Sequence, residues 1–167
     1  PTAAMPSAFY WPLLVPCALR APAPVNSFVR LLGAREREMP TVTIEVKYQY
    51  TTEQEVAIIN AVHRAMMDGI KTPEWDKNIR LIVHAPHRFT SPPGKSERYT
   101  LVTFDMFSGR SIEAKRALYS AIVQNLSALD IQPSDVLINL REHPPENWGV
   151  QGGKPASEVD IGFKINV

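Results

Sequence analysis

The sequence contains a single cysteine, Cys17, among its 167 residues. One thiol cannot form an internal disulfide, and this scarcity excludes a cysteine-rich metal site. The chain also lacks any apolar run of the roughly 18–20 residues that a membrane-spanning helix requires. Its formal net charge is only +1, which gives no reason to expect nucleic acid or a charged membrane surface as a partner. These absences favour a cytoplasmic protein with neither of those partners.

The first 39 residues differ in composition from the rest of the chain. They hold six of the fifteen prolines, and their four arginines and two glutamates give a net charge of +2. Prolines interrupt the apolar patch at residues 8–19, so it does not resemble a signal peptide. We interpret residues 1–39 as a Pro/Ala-rich N-terminal extension, either a flexible arm or sequence upstream of the genuine start. Alternatively, the arm packs on a neighbouring subunit through the aromatic residues 9–11.

A regular strand pattern begins at Pro40. Val42, Ile44 and Val46 alternate with polar residues, which predicts a half-buried strand. If Met39 initiated translation and were then removed, Pro40 would carry a terminal secondary amine, with a reference pKa of roughly 7.7–8.0. Burial or a nearby cation would lower that pKa and leave a free base at neutral pH. The simpler alternative is that Pro40 only starts a strand, a position that tolerates proline.

The residues that follow predict a strand–helix–strand unit over residues 40–86. Thr52 with Glu55 fits a capping box at the start of the helix, and the helix should end near Gly69. A second strand is predicted at residues 80–84. The apolar stripe that should face the core consists of Val56, Ile59, Val62 and Met66.

A second unit of the same kind covers residues 98–142. It has a predicted strand at residues 99–104, a helix capped by Ser111 and another strand at residues 136–140. The apolar stripe of this helix consists of Leu118, Ile122, Leu126 and Leu129.

The two units form an internal repeat. Their predicted helix caps, Thr52 and Ser111, are 59 residues apart, and the prolines after the helices, Pro73 and Pro133, are 60 apart. We therefore predict an α/β (α+β) fold in which one four-stranded sheet carries both helices on one face. The opposite face is also predicted to be apolar, so we expect sheets of several subunits to face each other around a symmetry axis. The tail, residues 143–167, should end in a short strand at residues 161–167.

Three motifs then give a family resemblance: Met39-Pro40-Thr41, the turn Phe107-Ser108-Gly109-Arg110-Ser111, and Glu146-Asn147-Trp148-Gly149. With them, residues 40–167 resemble the tautomerase superfamily, whose members are built from βαβ units and use an amino-terminal proline as catalytic base or acid. The double-length subunit is similar to the malonate semialdehyde decarboxylase and cis-3-chloroacrylate dehalogenase branches. That similarity implies a homotrimer.

The resemblance implies a cofactor-independent keto–enol tautomerase acting on a small 2-oxo acid or 2-hydroxydienoate. Pro40 would shuttle the proton, and Arg110 would bind the substrate carboxylate. Asp76 matches an acidic residue that the decarboxylase uses near its proline, and Phe107 and Trp148 would contact the substrate. Each residue also has a simpler interpretation: Asp76 as a turn residue, Arg110 as a surface arginine, Trp148 at a subunit contact.

Two differences from the decarboxylase and dehalogenase branches favour tautomerisation over decarboxylation and dehalogenation. Phe107 and Ser108 occupy the place of a second arginine, and Met67 stands where the dehalogenase has a histidine. Decarboxylation or dehalogenation remains an alternative, as does a non-catalytic trimeric binding protein in which Pro40 stays inside the chain. A further alternative is that Pro1 supplies the terminal amine.

The histidines predict no metal site. His84 and His87 lack an evident third ligand. We interpret His63 as a partly buried structural residue and His143 as a loop residue.

Overall fold

The structure of the protein, a computed structural model, describes residues 40–160. The extension with Pro1 and Cys17 lies outside the described residues, and so does the strand predicted at residues 161–167. No helix among residues 40–160 is long and apolar enough to cross a membrane.

Four strands form one mixed sheet, and two helices connect them. The strands are β1 (Thr41–Val46), β2 (Asn78–Val83), β3 (Thr100–Phe107) and β4 (Val136–His143), in the spatial order β2-β1-β3-β4. Helix α1 (Thr52–Ile70) joins β1 to its parallel neighbour β2, and α2 (Ile112–Ser127) joins β3 to its parallel neighbour β4. The central strands β1 and β3 are antiparallel. The predicted pair of βαβ units in one four-stranded sheet is confirmed.

Helix α1 begins one residue earlier than predicted. Thr51, not Thr52, is the N-cap, and its hydroxyl accepts a hydrogen bond of 3.3 Å from the amide of Gln54. The Gln54 side chain in turn accepts one of 3.0 Å from the Thr51 amide. The capping box therefore pairs Thr51 with Gln54, because the extended backbone that a cap requires occurs at Thr51.

One core lies between the sheet and the two helices. Val42, Ile44 and Val46 are fully buried, as the alternation predicted. The predicted stripe of α2 is likewise buried at Leu118, Ile122 and Leu126, with Leu129 packed against it. The stripe of α1 was partly wrong: Val56 is 50% exposed, because Ile58, Ala61 and Ala65 lie on the buried side instead.

The face of the sheet away from the helices, called here the outer face, has mixed polarity. Side chains alternate across a strand, so the residues between the core positions lie on this face. Thr43 pairs with Thr103 in the middle of the face, while Ile82 and Leu137, on the edge strands, are 42% and 50% exposed. The outer face is therefore apolar at Ile82 and Leu137 on its edge strands but polar at the Thr43–Thr103 pair, so the prediction of an apolar face was only partly right.

A small hairpin follows β4, which the sequence patterns did not predict. Strands β5 (Gly149–Val150) and β6 (Lys154–Pro155) pair antiparallel. Val150 and Ala156 pack with Phe107 and Trp148 in a second, smaller apolar cluster. Through these contacts the hairpin packs against the last residue of β3, at one end of the sheet.

Candidate active site

Strand pairing brings the predicted site residues to one edge of the sheet. Thr41, at the start of β1, pairs with Asn78 at the start of β2 and with Asp105 near the end of β3. Phe107, the last residue of β3, pairs with His143, the last residue of β4. We call this the proline edge, because Pro40 immediately precedes β1. Asp76, two residues before β2, and Arg110, three residues after β3, lie in the connections at the same edge.

Pro40 is buried where β1 begins. It stands outside the ladder, so its lack of an amide proton costs no sheet hydrogen bond. Packing therefore fixes Pro40 at the proline edge.

Arg110 is a buried cation with unused hydrogen-bonding capacity. Arg110 is only 7% exposed, and its Nη1 donates a hydrogen bond to the carbonyl oxygen of Phe107 at 3.1 Å. Its Nε has no hydrogen-bond partner among the described residues. Burial lowers the pKa of Arg110, while the negative charges of Glu142 and Asp76 act in the opposite direction. A guanidinium stays protonated near neutral pH in such a setting, so Arg110 presents a positive charge at this edge.

Asp76 is also buried, at 2% exposure. Its amide donates to the carbonyl oxygen of Pro73 at 3.0 Å, which forms the turn after α1. His63, on α1, hydrogen-bonds the Asp76 backbone, and burial lowers the pKa of His63 overall. The expectation of a partly buried His63 understated its burial, since this residue is only 7% exposed. Packing on α1 thus anchors the turn that carries Asp76.

Phe107 and Trp148 form an aromatic contact at the end of β3. Their rings are 5.6 Å apart between centroids and inclined at 71°, an edge-to-face geometry that is favourable for aromatic pairs. Phe107 is 1% exposed, so its side chain supports Trp148, whereas its carbonyl oxygen contacts Arg110.

Sequence reasoning missed two acidic residues at this edge, Glu142 and Asp105, and misplaced His143. Glu142 accepts a hydrogen bond from Lys115 at 2.6 Å and acts electrostatically on Arg110. Asp105 lies 3.6 Å from the Nε2 of His143. The interpretation of His143 as a loop residue was wrong, because the pairing with β3 extends β4 to this residue. Only the register of β3 and β4 reveals these neighbours.

His84 and His87 do not form a metal-binding group. The Nε2 of His84 lies 2.8 Å from a carboxylate oxygen of Glu45, and its ring stacks on Phe89 at 5.3 Å. Among residues 40–160, no group of three or more histidine, cysteine, aspartate or glutamate residues is arranged to hold a metal ion.

Comparison with known structures finds the same fold in tautomerase-superfamily enzymes. FG41 malonate semialdehyde decarboxylase inhibited by 3-bromopropiolate is 27% identical, with a TM-score of 0.60 over 65% of this chain and 86% of that one. A second malonate semialdehyde decarboxylase, with decarboxylase and hydratase activities, is 25% identical, with a TM-score of 0.62 over 68% and 91%. A fused 4-OT, a wild-type symmetric trimer, is 27% identical, with a TM-score of 0.59 over 70% and 96%.

The sequence also matches a family model. A model described as "Tautomerase enzyme" matches residues 76–151, a range that begins at Asp76 and includes Arg110 and Trp148. Together, the family match and the shared fold show that this chain is similar to enzymes of the tautomerase superfamily.

Proposed function

We propose that this protein is a cofactor-independent keto–enol tautomerase of a small 2-oxo acid or 2-hydroxydienoate. It acts as a homotrimer, with Pro40 as an amino-terminal proton shuttle. The match to the tautomerase family model supports the general class of enzyme, and the likeness to the fused 4-OT trimer supports the assembly.

The observation that carries the proposal is the buried Arg110 at the proline edge. Arg110 is a buried guanidinium whose Nε has no hydrogen-bond partner among residues 40–160. It is poised to accept an anionic partner, because burying a polar donor without a hydrogen bond is unfavourable. Its planar fork matches a carboxylate through two parallel hydrogen bonds. Arg110 therefore binds the substrate carboxylate in the proposed reaction.

Pro40 carries the proton in this scheme. The free amine of Pro40 takes the proton from the enol hydroxyl, and the oxygen electrons form the keto C=O bond. As that bond forms, the electrons of the C=C bond take a proton from the prolinium nitrogen, which restores the amine. Arg110 also disfavours protonation of a neighbouring amine, which would lower the pKa of Pro40 toward neutrality. Asp76 orients the substrate or a water molecule from the turn before β2.

The mechanism requires a terminal Pro40. A proline nitrogen within a peptide bond is an amide and has no basic lone pair, so residues 1–39 must be absent from the active form. The extension is then either sequence upstream of the genuine start or a removable block.

Decarboxylation is the second candidate, favoured by the likeness to two malonate semialdehyde decarboxylases and by the presence of Asp76. Against it stand Phe107 and Ser108, which occupy the space where, by the resemblance, that branch has a second arginine. A single arginine suits the binding of one carboxylate that is retained in the product.

The test compares three proteins: the full chain, a chain expressed from Met39, and that shorter chain with Arg110→Ala. Ketonisation of phenylenolpyruvate and 2-hydroxymuconate is followed by ultraviolet absorbance, and release of CO2 from malonate semialdehyde is measured in parallel. Removal of Met39 is verified by mass spectrometry.

We expect ketonisation only by the chain that begins at Pro40, with a large loss in its Arg110→Ala variant. Release of CO2 without ketonisation would select the decarboxylase. If all three folded proteins are inactive with every substrate, the enzyme proposal fails and a trimeric binding protein becomes the better description. Circular dichroism establishes that each variant is folded.

A further inference from the structure

An open cleft of about 310 Å³ lies on the outer face at the proline edge, lined by Thr41, Asp105, His143, Asn147 and Trp148. Its first lining residue, Thr41, directly follows Pro40, the proposed base, in the chain. None of its residues except Trp148 has a role in the chemistry described above.

The cleft connects to Arg110 through aromatic residues. The Phe107 carbonyl accepts a hydrogen bond from Arg110, and the Phe107 ring meets Trp148 edge-on. Trp148 also meets His143, with ring centroids 6.1 Å apart and an interplanar angle of 67°. One wall of the cleft is therefore a fixed aromatic surface, which suits a flat, apolar or conjugated group.

Among the described residues that line the cleft, only Asp105 carries a carboxylate. Its Oδ1 lies 3.6 Å from the Nε2 of His143 and 3.7 Å from Nη1 of Arg141. The Arg141 side chain is 56% exposed and does not line the cleft. Such a long, solvent-screened contact neutralises a charge only weakly. An anion entering the cleft would therefore meet the negative charge of Asp105.

We propose that this cleft receives the end of the substrate remote from the carboxylate bound by Arg110. We further propose that Asp105 makes the protein select 2-oxo acids with an uncharged aromatic or conjugated end over dicarboxylates. This inference rests on the proposed function and deepens it by naming the substrate class. His143 and Asn147 supply hydrogen bonds to a hydroxyl or carbonyl oxygen at that end.

The test measures binding and therefore does not depend on turnover. Isothermal titration calorimetry on the full chain gives dissociation constants for phenylpyruvate and for 2-oxoadipate, a dicarboxylate. The variants are Asp105→Asn, which removes the charge and keeps the shape, and Trp148→Ala. Asp68→Asn is the matched control, because Asp68 is an exposed aspartate on α1.

We expect the unmodified chain to bind phenylpyruvate at least about fivefold more tightly than 2-oxoadipate, the effect of one like charge at a partly exposed site. Asp105→Asn should reduce this preference by about fivefold, and Asp68→Asn should leave it unchanged. Trp148→Ala should weaken the binding of phenylpyruvate more than the binding of 2-oxoadipate. Equal affinities in the unmodified chain, an unchanged preference in Asp105→Asn, or no binding of either compound would each overturn the proposal.

The two proposals fail separately. If the chain beginning at Pro40 shows no ketonisation but the full chain shows the Asp105-dependent preference, the cleft is a binding site and the tautomerase assignment fails. If ketonisation occurs while the preference is absent, the tautomerase assignment stands and the assigned substrate class is wrong.

Discussion

Gly69 in α1 and Leu118 in α2 approach each other so closely that only glycine fits at position 69. A Cβ atom added there would lie 2.6 Å from both the Cα and the backbone nitrogen of Leu118. These are backbone atoms, so the contact cannot be relieved by rotating a side chain. Leu118 and Ile122 belong to the main core, and the close approach therefore fixes the spacing of the two helices above the sheet.

Gly69→Ala is expected to lower the free energy of unfolding by about 1–3 kcal/mol, the usual effect of an overpacked core. The direction is informative, because helix propensity alone would favour alanine by about 1 kcal/mol. Urea denaturation followed by circular dichroism measures the change. Gly149→Ala is the control, because a Cβ atom there would meet nothing within 4 Å. A Gly69→Ala protein as stable as the unmodified one would contradict the close helix contact.

The start of α1 is tested by two neighbouring threonines. Thr51→Ala removes the hydroxyl that caps the Gln54 amide and should lower the free energy of unfolding by about 1 kcal/mol. Thr52→Ala changes the first residue of the helix and should have an effect near zero or slightly stabilising. Thermal denaturation of both variants gives the comparison. A larger loss of stability in Thr52→Ala than in Thr51→Ala would instead place the cap at Thr52.

Asp135 and Ser96 link the turn before β4 to the loop before β3. The Asp135 carboxylate accepts hydrogen bonds from the Ser96 amide at 2.9 Å and from its hydroxyl at 2.5 Å. These bonds lower the pKa of Asp135 below its usual value. As the pH falls, the unfolded chain therefore takes up a proton before the folded protein does. The resulting stabilisation, present above about pH 4, is lost as the pH falls through the pKa of the folded state.

Ser96→Ala should lower the free energy of unfolding by about 1–3 kcal/mol at pH 7, as expected for a hydrogen bond to a charged group. The difference from the unmodified protein should shrink at pH 3, where Asp135 is protonated in the unfolded chain. Urea denaturation at the two pH values measures it. Ser120→Ala, at an exposed position on α2, should show no such pH dependence. A Ser96→Ala deficit of equal size at both pH values would exclude Asp135 as its cause.

The sequence predicted the elements that depend on local pattern. The alternation of Val42, Ile44 and Val46 fixed β1, and Ser111 marked the start of α2 because no neighbouring residue competes as a cap. The first helix had two overlapping candidates, since Thr51 with Gln54 and Thr52 with Glu55 share the same spacing. Local pattern could not separate them, because the choice depends on where the backbone leaves its extended conformation.

The site residues likewise divide into those that a local sequence pattern predicts and those that it does not. Pro40 and Arg110 belong to short motifs that can be recognised in sequence, and the repeat of two βαβ units brings them to one edge. The proximity of Asp105 to His143 depends on the register of β3 with β4. The contact of Trp148 with Phe107 depends on a hairpin that has no alternating pattern. Such long-range pairings leave no periodic signal in the chain.

The last prediction tests whether Arg110 acts as a fork or only as a charge. In the chain beginning at Pro40, Arg110→Lys keeps the positive charge but loses the paired donors that match a carboxylate. We expect kcat/KM for phenylenolpyruvate to fall by about 10- to 100-fold, the loss of one charge-assisted hydrogen bond. Arg116→Lys is the control, because that side chain is 71% exposed on α2 and pairs only loosely, at 3.8 Å, with Glu113.

Arg110 also holds the Phe107 carbonyl, so the thermal stability of each variant must be measured beside its activity. A folded Arg110→Lys enzyme with full kcat/KM would show that charge alone suffices and would remove the argument for bidentate binding. A change confined to KM would mean that Arg110 binds the substrate and the transition state equally strongly. A loss in kcat would mean that its guanidinium binds the transition state more strongly than the substrate, as charge develops during proton transfer.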